Sequence, residues 1–143
     1  MRVFVTGGTG FIGRHLIDFL AAQNAEILAL VRDPAKAGEL ARKKISLLKG
    51  DLFSVPALPA GVDLVFHLAG KTKSLNKNAY YTVNQEGTAS LFQSLLSSKA
   101  QPRVVYLSSL AASGPSEKDG AVKEDDPPHP VTSYGRSKLL GEA

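Results

Sequence analysis

The 143-residue sequence predicts an α/β fold built on a doubly wound parallel sheet, and three observations predict it. Short, almost wholly apolar runs alternate with helical periodicities along the chain, as in a parallel sheet covered on both faces. The first such run, Val3-Phe4-Val5, breaks at Thr6-Gly7-Gly8-Thr9-Gly10 and passes straight into a helix. Later glycine and polar clusters also fall at the carboxyl ends of apolar runs, where an open α/β sheet binds its ligands.

Residue type and spacing justify each element in turn. β-Branched and aromatic residues over 3–5 make a buried strand. Leu16, Ile17, Phe19 and Leu20 follow Ile12 at helical spacing, so a helix begins near Phe11 with one face on the sheet. Glu26 to Val31 is a second strand, stopped by Pro34, and Ala35 to Lys44 looks helical and charged. Ile45 to Lys49 is a third strand closing at Gly50-Asp51-Leu52; two prolines make 55–61 a loop. Val62 to Leu68 is a fourth strand ending in Ala69-Gly70. Asn76 to Tyr81 holds a short helix, and Asn84 to Ser98 a long one with Gly87, Leu91, Phe92, Leu95 and Leu96 inward. Pro102 resets the chain, Arg103 to Ser108 forms a fifth strand, and Ser113 to Pro130 is a long irregular segment. Val131 to Ala143 begins a last helix. The expected arrangement is a Rossmann-type sheet in the order 3-2-1-4-5.

Composition narrows the function classes. An apolar content of 43% suits one globular domain with its own core. No run approaches the ~18 apolar residues of a membrane span, and the N-terminus enters a strand with no leader pattern, so a cytoplasmic protein with no membrane partner is expected. The absence of cysteine excludes disulfides and thiolate zinc sites, and His15, His67 and His129 lack ligand spacing, so no metal is expected. Arg42-Lys43-Lys44 and Lys71, Lys73 and Lys77 contribute to a net charge of +4 but read as solvated faces, not as a nucleic-acid surface.

The glycine turn carries the ligand. Gly8-x-Gly10-x-x-Gly13 and Gly7-x-x-Gly10-x-x-Gly13 both fit it. Glycines there let the main chain approach a pyrophosphate and let helix and strand pack closely, while free N–H groups and the helix dipole face the anion. A P-loop fits poorly, because Arg14 and His15 stand where its Lys and Ser/Thr belong. A dinucleotide also needs its adenosine ribose read at the end of the second strand. Asp33, twenty residues past Gly13, is at the customary interval for an acid that binds a 2′-OH, but it precedes proline. Arg32 is nearer the strand end and can take a 2′-phosphate bidentately, which favours NADP(H) over NAD(H).

Tyr134 and Lys138 are four residues apart, stacked on one helix face with Cβ atoms about 5–6 Å apart. A phenol titrates near pH 10, and bringing it to about 7 needs roughly 4 kcal/mol. One ammonium at ~4 Å and intermediate dielectric supplies about that much. Ser108-Ser109 lies at the end of the fifth strand, where a hydroxyl can reach a substrate oxygen or simply satisfy its own backbone.

The chain resembles the N-terminal part of an extended short-chain dehydrogenase/reductase, the NAD-dependent epimerase/dehydratase family. The resemblance rests on Thr6-Gly7-Gly8-Thr9-Gly10-Phe11-Ile12-Gly13, Gly50-Asp51-Leu52, His67-Leu68-Ala69-Gly70, Val83-Asn84-Gln85-Glu86-Gly87-Thr88, Leu107-Ser108-Ser109 and Tyr134-Gly135-Arg136-Ser137-Lys138-Leu139. It implies Tyr134 as general acid-base, Lys138 as the group that binds the nicotinamide ribose and depresses the phenol, and Ser109 as the residue orienting the substrate oxygen. Ser109 is preferred to Ser108 by its five-residue spacing to Gly114. Coenzyme contacts are implied for Gly7, Gly10, Phe11, Ile12, Gly13, Arg32, Asp51, Leu52, Leu68, Ala69, Gly70, Asn84, Tyr134 and Lys138, with Asn84 also holding the helix.

The implied reaction moves a hydride between nicotinamide C4 and a carbinol or carbonyl carbon of a small molecule, such as a nucleotide sugar or steroid-like alcohol. Arg32-Asp33-Pro34 is like the NADP-using reductase and steroid-dehydrogenase-like branches. A non-catalytic NADP(H)-binding redox sensor or scaffold is the alternative, against which the Ser109, Tyr134 and Lys138 set argues. The family continues past this helix with more strands and a small C-terminal substrate domain. Residues 1–143 are therefore expected to be a truncated NAD(P)-binding domain, inactive alone. Its unfinished sheet would leave the fifth strand and the Tyr134 helix without neighbours, to be mobile, swapped or packed in an oligomer such as a homodimer.

Overall fold

Strand β1 (Arg2–Thr6) lies at the centre of an all-parallel sheet in the computed structural model, which describes residues 1–98, 101–116 and 120–143. β2 (Glu26–Val31) and β3 (Ser46–Lys49) extend it on one side, and β4 (Leu64–His67) and β5 (Arg103–Tyr106) on the other. The order β3-β2-β1-β4-β5 is the expected one, and the winding reverses between β1 and β4. Thr6 stands in register with Leu30 and with His67, so the carboxyl ends of these three strands finish level.

The chain divides into two units, Met1–Ala69 with Ser90–Leu107, which holds the sheet, and Gly70–Ala89 with Ser108–Ala143. In the first, α1 (Phe11–Ala22) buries Gly13, Ile17 and Leu20. That i, i+4, i+7 face joins Val3, Val5, Ile27, Ala29, Val31, Ala37 and Leu40 in one apolar cluster. Phe4 and Val65, paired in register, are fully buried on the opposite sheet face. Phe19 departs from expectation at 63% exposed. It lies two residues past Ile17, about 200° round the helix, and so points away from the sheet.

Other differences have local causes. In place of the one helix expected over 35–44 stand two short 3₁₀ turns, Pro34–Lys36 and Gly38–Arg42. Asp33 caps the first turn, and Gly38 starts the second with φ +59°. The long helix begins earlier, with α2 (Asn78–Tyr81), passes through a π-turn over Thr82–Glu86, and continues as α3 (Gly87–Leu96). Gly87, Leu91 and Leu95 are buried, but Leu96, 100° on from Leu95, is 82% exposed. β5 ends at Tyr106, and Ser109 then caps an unexpected helical turn, α4 (Leu110–Ser113). Of the irregular segment expected over 113–130, positions 117–119 lie outside the described residues. The last helix, α5, spans Ser133–Leu140.

The burial pattern of α1 makes a paired prediction for urea unfolding. Ile17→Ala should cost about 2–5 kcal/mol, whereas Phe19→Ala should change stability by less than about 0.5 kcal/mol. Equal losses from the two substitutions would contradict the packing.

Candidate functional site

The first unit ends its central strand on an uncapped helix N-terminus. Gly10 precedes α1 with extended backbone, makes no side-chain cap, and no acid occupies the first turn. The N–H groups of Phe11, Ile12 and Gly13 therefore receive no side-chain cap from Gly10 and no carboxylate from their own turn. Gly10 N–H donates to the Gly7 carbonyl at 3.0 Å and closes the turn. Gly7 has φ +73°, and a Cβ there would lie 2.5 Å from the Ala69 nitrogen and 2.6 Å from the Leu68 carbonyl carbon. A Cβ on Gly13 would strike the Gly7 carbonyl oxygen and come within 2.7 Å of the Gly8 Cα. Glycine is thus required at both positions by backbone-to-backbone contact. The resulting cradle of N–H groups at a positive helix end fits the diphosphate of a dinucleotide.

A polar link holds this turn to the one after β4. Thr6 Oγ1 accepts from Ala69 N–H at 3.2 Å and bonds His67 Nδ1 at 2.7 Å, and Leu68 N–H donates to the Thr6 carbonyl at 3.2 Å. Thr6 and His67 are both fully buried. Sequence reasoning gave neither a role, although each was the polar residue closing an apolar strand. Gly7, Gly10, Gly13, Leu68 and Ala69 thus meet at the level ends of β1 and β4.

The expected adenosine-side residues lie at the ends of β2 and β3, which Gly50 N–H joins by donating to the Val31 carbonyl at 3.0 Å. Arg32 is exposed. Asp33 is engaged locally: Oδ1 accepts from Ala35 N–H at 3.0 Å and Oδ2 lies 3.7 Å from Lys36 Nζ. Asp51 accepts from Phe53 N–H at 2.9 Å while staying exposed, and Leu52 is buried. Phe11 and Ile12 are exposed at the start of α1.

The second unit carries the candidate acid-base residues. Thr132 caps α5 by accepting from Gly135 N–H at 2.9 Å. Tyr134 and Lys138 follow one turn apart. The Tyr134 ring is half-buried, edge-on to Tyr80 at 6.0 Å between centroids. Lys138 is only 3% exposed, and burial, opposed by the nearby Glu142 carboxylate, lowers its pKa from the usual 10.5 to about 8. Ser109 Oγ accepts from Ala111 N–H at 3.2 Å as the cap of α4, which leaves its own O–H to donate. Ser108 is bonded to the Glu142 carboxylate. Asn84, fully buried in the π-turn, accepts from Lys71 N–H at 2.6 Å and donates to the Lys71 carbonyl at 3.0 Å and to Ser137 Oγ at 2.9 Å. Gly70 is exposed beside it. The sequence reading missed Ser137, whose signal was a serine next to Lys138 on the inward side of the helix.

Among the described residues no helix is long and apolar enough to cross a membrane, and no group of three or more His, Cys, Asp or Glu could hold a metal.

Burial of Lys138 predicts a pH effect on stability. Its folded-state pKa is lowered, so at pH 7 the ammonium is charged folded and unfolded and the cost of burying it is fully present. As pH rises from about 8 toward 10.5 the folded form loses its proton first and that cost is relieved. The urea midpoint of the native protein relative to Lys138→Met should therefore climb across this window. A difference that stays flat or falls would contradict the burial.

The family model described as "NAD dependent epimerase/dehydratase family" matches residues 3–143. A dTDP-6-deoxy-L-talose 4-dehydrogenase (NAD(P)(+)) from Kitasatospora kifunensis is 36% identical over 141 residues, 96% of this chain and 44% of its own. A UDP-glucose 4-epimerase from Azospirillum brasilense is 34% identical, over 99% of this chain and 42% of its own. The crystal structure of UDP-glucuronic acid 4-epimerase from Bacillus cereus in complex with NAD superposes with a TM-score of 0.83 at 28% identity, covering 99% of this chain and 49% of that one. The chain spans less than half the length of each of these relatives. With the family model matched over nearly its whole length, the chain belongs to the NAD-dependent epimerase/dehydratase family.

Proposed function

We propose that the whole protein is an NAD(P)-dependent oxidoreductase or epimerase acting on a secondary alcohol or ketone of a nucleoside diphosphate sugar. The observation that carries this reading is the pairing of Tyr134 with a buried Lys138 one helical turn on. A binding module has no use for an ammonium held out of water, because its burial costs stability. The relatives named for dTDP- and UDP-sugars support the substrate class.

When bound, a nicotinamide coenzyme supplies the hydride acceptor and donor. The chain's own residues handle the proton. In the oxidising direction Tyr134 Oη takes the proton of the substrate hydroxyl as the C–H hydride leaves, and it returns that proton in the reducing direction. Lys138 stabilises the phenolate and binds the nicotinamide ribose. Ser109 donates its O–H to the substrate oxygen, where negative charge develops. The Phe11, Ile12 and Gly13 amides hold the diphosphate. Asp51 and Leu52 bind the adenine, Leu68, Ala69 and Gly70 line the coenzyme, and Asn84 keeps the helix in place. As an isolated piece, residues 1–143 bind coenzyme without turnover.

Arg32 decides the coenzyme. The Asp33 carboxylate is engaged by the turn it caps, and the neighbouring Arg32 is exposed; a guanidinium there would take a 2′-phosphate. This favours NADP(H), and the NAD(P)(+) in the name of the talose dehydrogenase is compatible with it. Calorimetry should find NADPH bound at least tenfold more tightly than NADH, with Arg32→Ala erasing most of the difference; equal affinities in the native protein would sink the assignment.

For the chemistry, the full-length protein assayed with UDP-glucose, UDP-galactose and dTDP-6-deoxyhexoses provides the test. Tyr134→Phe should lower turnover at least about a hundredfold and leave coenzyme affinity within threefold. An active phenylalanine variant would remove the acid-base role.

A further inference from the structure

We infer that Ser137 is a positioning residue, which ties the helix bearing Tyr134 and Lys138, through Asn84, to the loop that follows the fourth strand. The inference rests on the proposed roles of Tyr134 and Lys138 and concerns what holds them in place.

The direction of every bond in this chain is forced. Lys71 N–H can only donate, so the atom 2.6 Å from it must be the Asn84 carbonyl oxygen. The Asn84 amide nitrogen then faces the Lys71 carbonyl at 3.0 Å and Ser137 Oγ at 2.9 Å, and its two hydrogens are both used. Ser137 Oγ must therefore accept. Its own hydrogen goes to the Tyr134 carbonyl at 2.7 Å. That carbonyl is also the one to which Lys138 N–H donates by the i to i−4 rule of the helix. One acceptor thus joins Tyr134, Ser137 and Lys138, and the Ser137 hydroxyl links it through Asn84 to another element.

Two features mark the device as built. Ser137 and Asn84 are both fully buried, where an unmatched polar atom is costly. Asn84 sits inside the π-turn Thr82–Glu86, and Thr88 Oγ1 bonds the Asn84 carbonyl at 2.7 Å, which fixes the irregular turn from its C-terminal side. A π-turn inserts a residue and rotates the side chains around it, commonly at functional sites. Here it presents the Asn84 amide to two elements at once. A serine that merely back-bonded its own helix would leave the second hydrogen of the Asn84 amide without an acceptor.

The test uses the full-length protein and reads Lys138 directly. Its titration is followed by the ¹³Cε resonance of labelled lysine, assigned with Lys138→Met. Ser137→Ala should raise the midpoint from about 8 by at least one pH unit, because a loosened helix lets water reach the ammonium. Turnover on the sugar nucleotide probes should fall at least tenfold. Asn84→Asp, which keeps an acceptor for Lys71 N–H but draws the Ser137 hydrogen away from Tyr134, should do the same, and the double variant should be no worse than either single. If the alanine variant does not fold, Ser137→Cys, which keeps the volume and weakens both bonds, replaces it. A folded Ser137 variant with Lys138 still titrating near 8 and native turnover overturns the inference. An inactive Tyr134→Phe beside that result leaves the catalytic reading standing, whereas an active Tyr134→Phe overturns both.

Discussion

Close approach of main chain to main chain at the end of β1 is the constraint on which the coenzyme side of this protein depends. Gly7 lies against the Leu68–Ala69 peptide and Gly13 against Gly7 and Gly8, at separations that exclude any Cβ. Because no side chain intervenes, the first N–H groups of α1 stay open to an anion, and the strand ends that carry them are fixed relative to one another. The Thr6, His67 and Ala69 hydrogen bonds hold the two turns at that separation. Val3, Val5 and Ile17 supply the apolar packing beneath.

The second unit solves a different problem. It removes a lysine from water while keeping it one helical turn from a tyrosine. Burial depresses the pKa of Lys138, the Glu142 carboxylate opposes that shift, and hydrogen bonds hold the helix that carries it. Thr132 caps the helix, Ser137 engages the Tyr134 carbonyl, and Asn84 engages Ser137. Such an arrangement is expected where function sets the residue choice and stability accommodates it.

Much of the fold was legible because parallel strands buried on both faces leave an unmistakable pattern. Glu26–Val31 is apolar from Ile27 onward and was placed to the residue. The strand order followed from alternation and handedness alone. The interruptions were harder to read. A π-turn has no composition of its own, so Asn84 to Glu86 were read as the start of a regular helix and Thr82 and Val83 as a break before it, and Leu96 was assigned to the inner face with Leu95. The turn at Leu110–Ser113 depends on a cap from Ser109 and is too short to show a period. On the site side, glycine spacing and the Tyr134–Lys138 interval were visible as local patterns. The Thr6–His67 and Asn84–Ser137 bonds, which join residues 61 and 53 positions apart, were not, because only the folded chain brings them together.

The central claim is that the main-chain amides at the start of α1 hold a diphosphate, and backbone NMR tests it most directly. In a titration of the isotope-labelled protein with NADP⁺ and NAD⁺, the amide resonances of Gly10, Phe11, Ile12 and Gly13 should show the largest saturable shifts. Saturable coenzyme binding that leaves those four resonances in place, or no binding at all, would contradict the account.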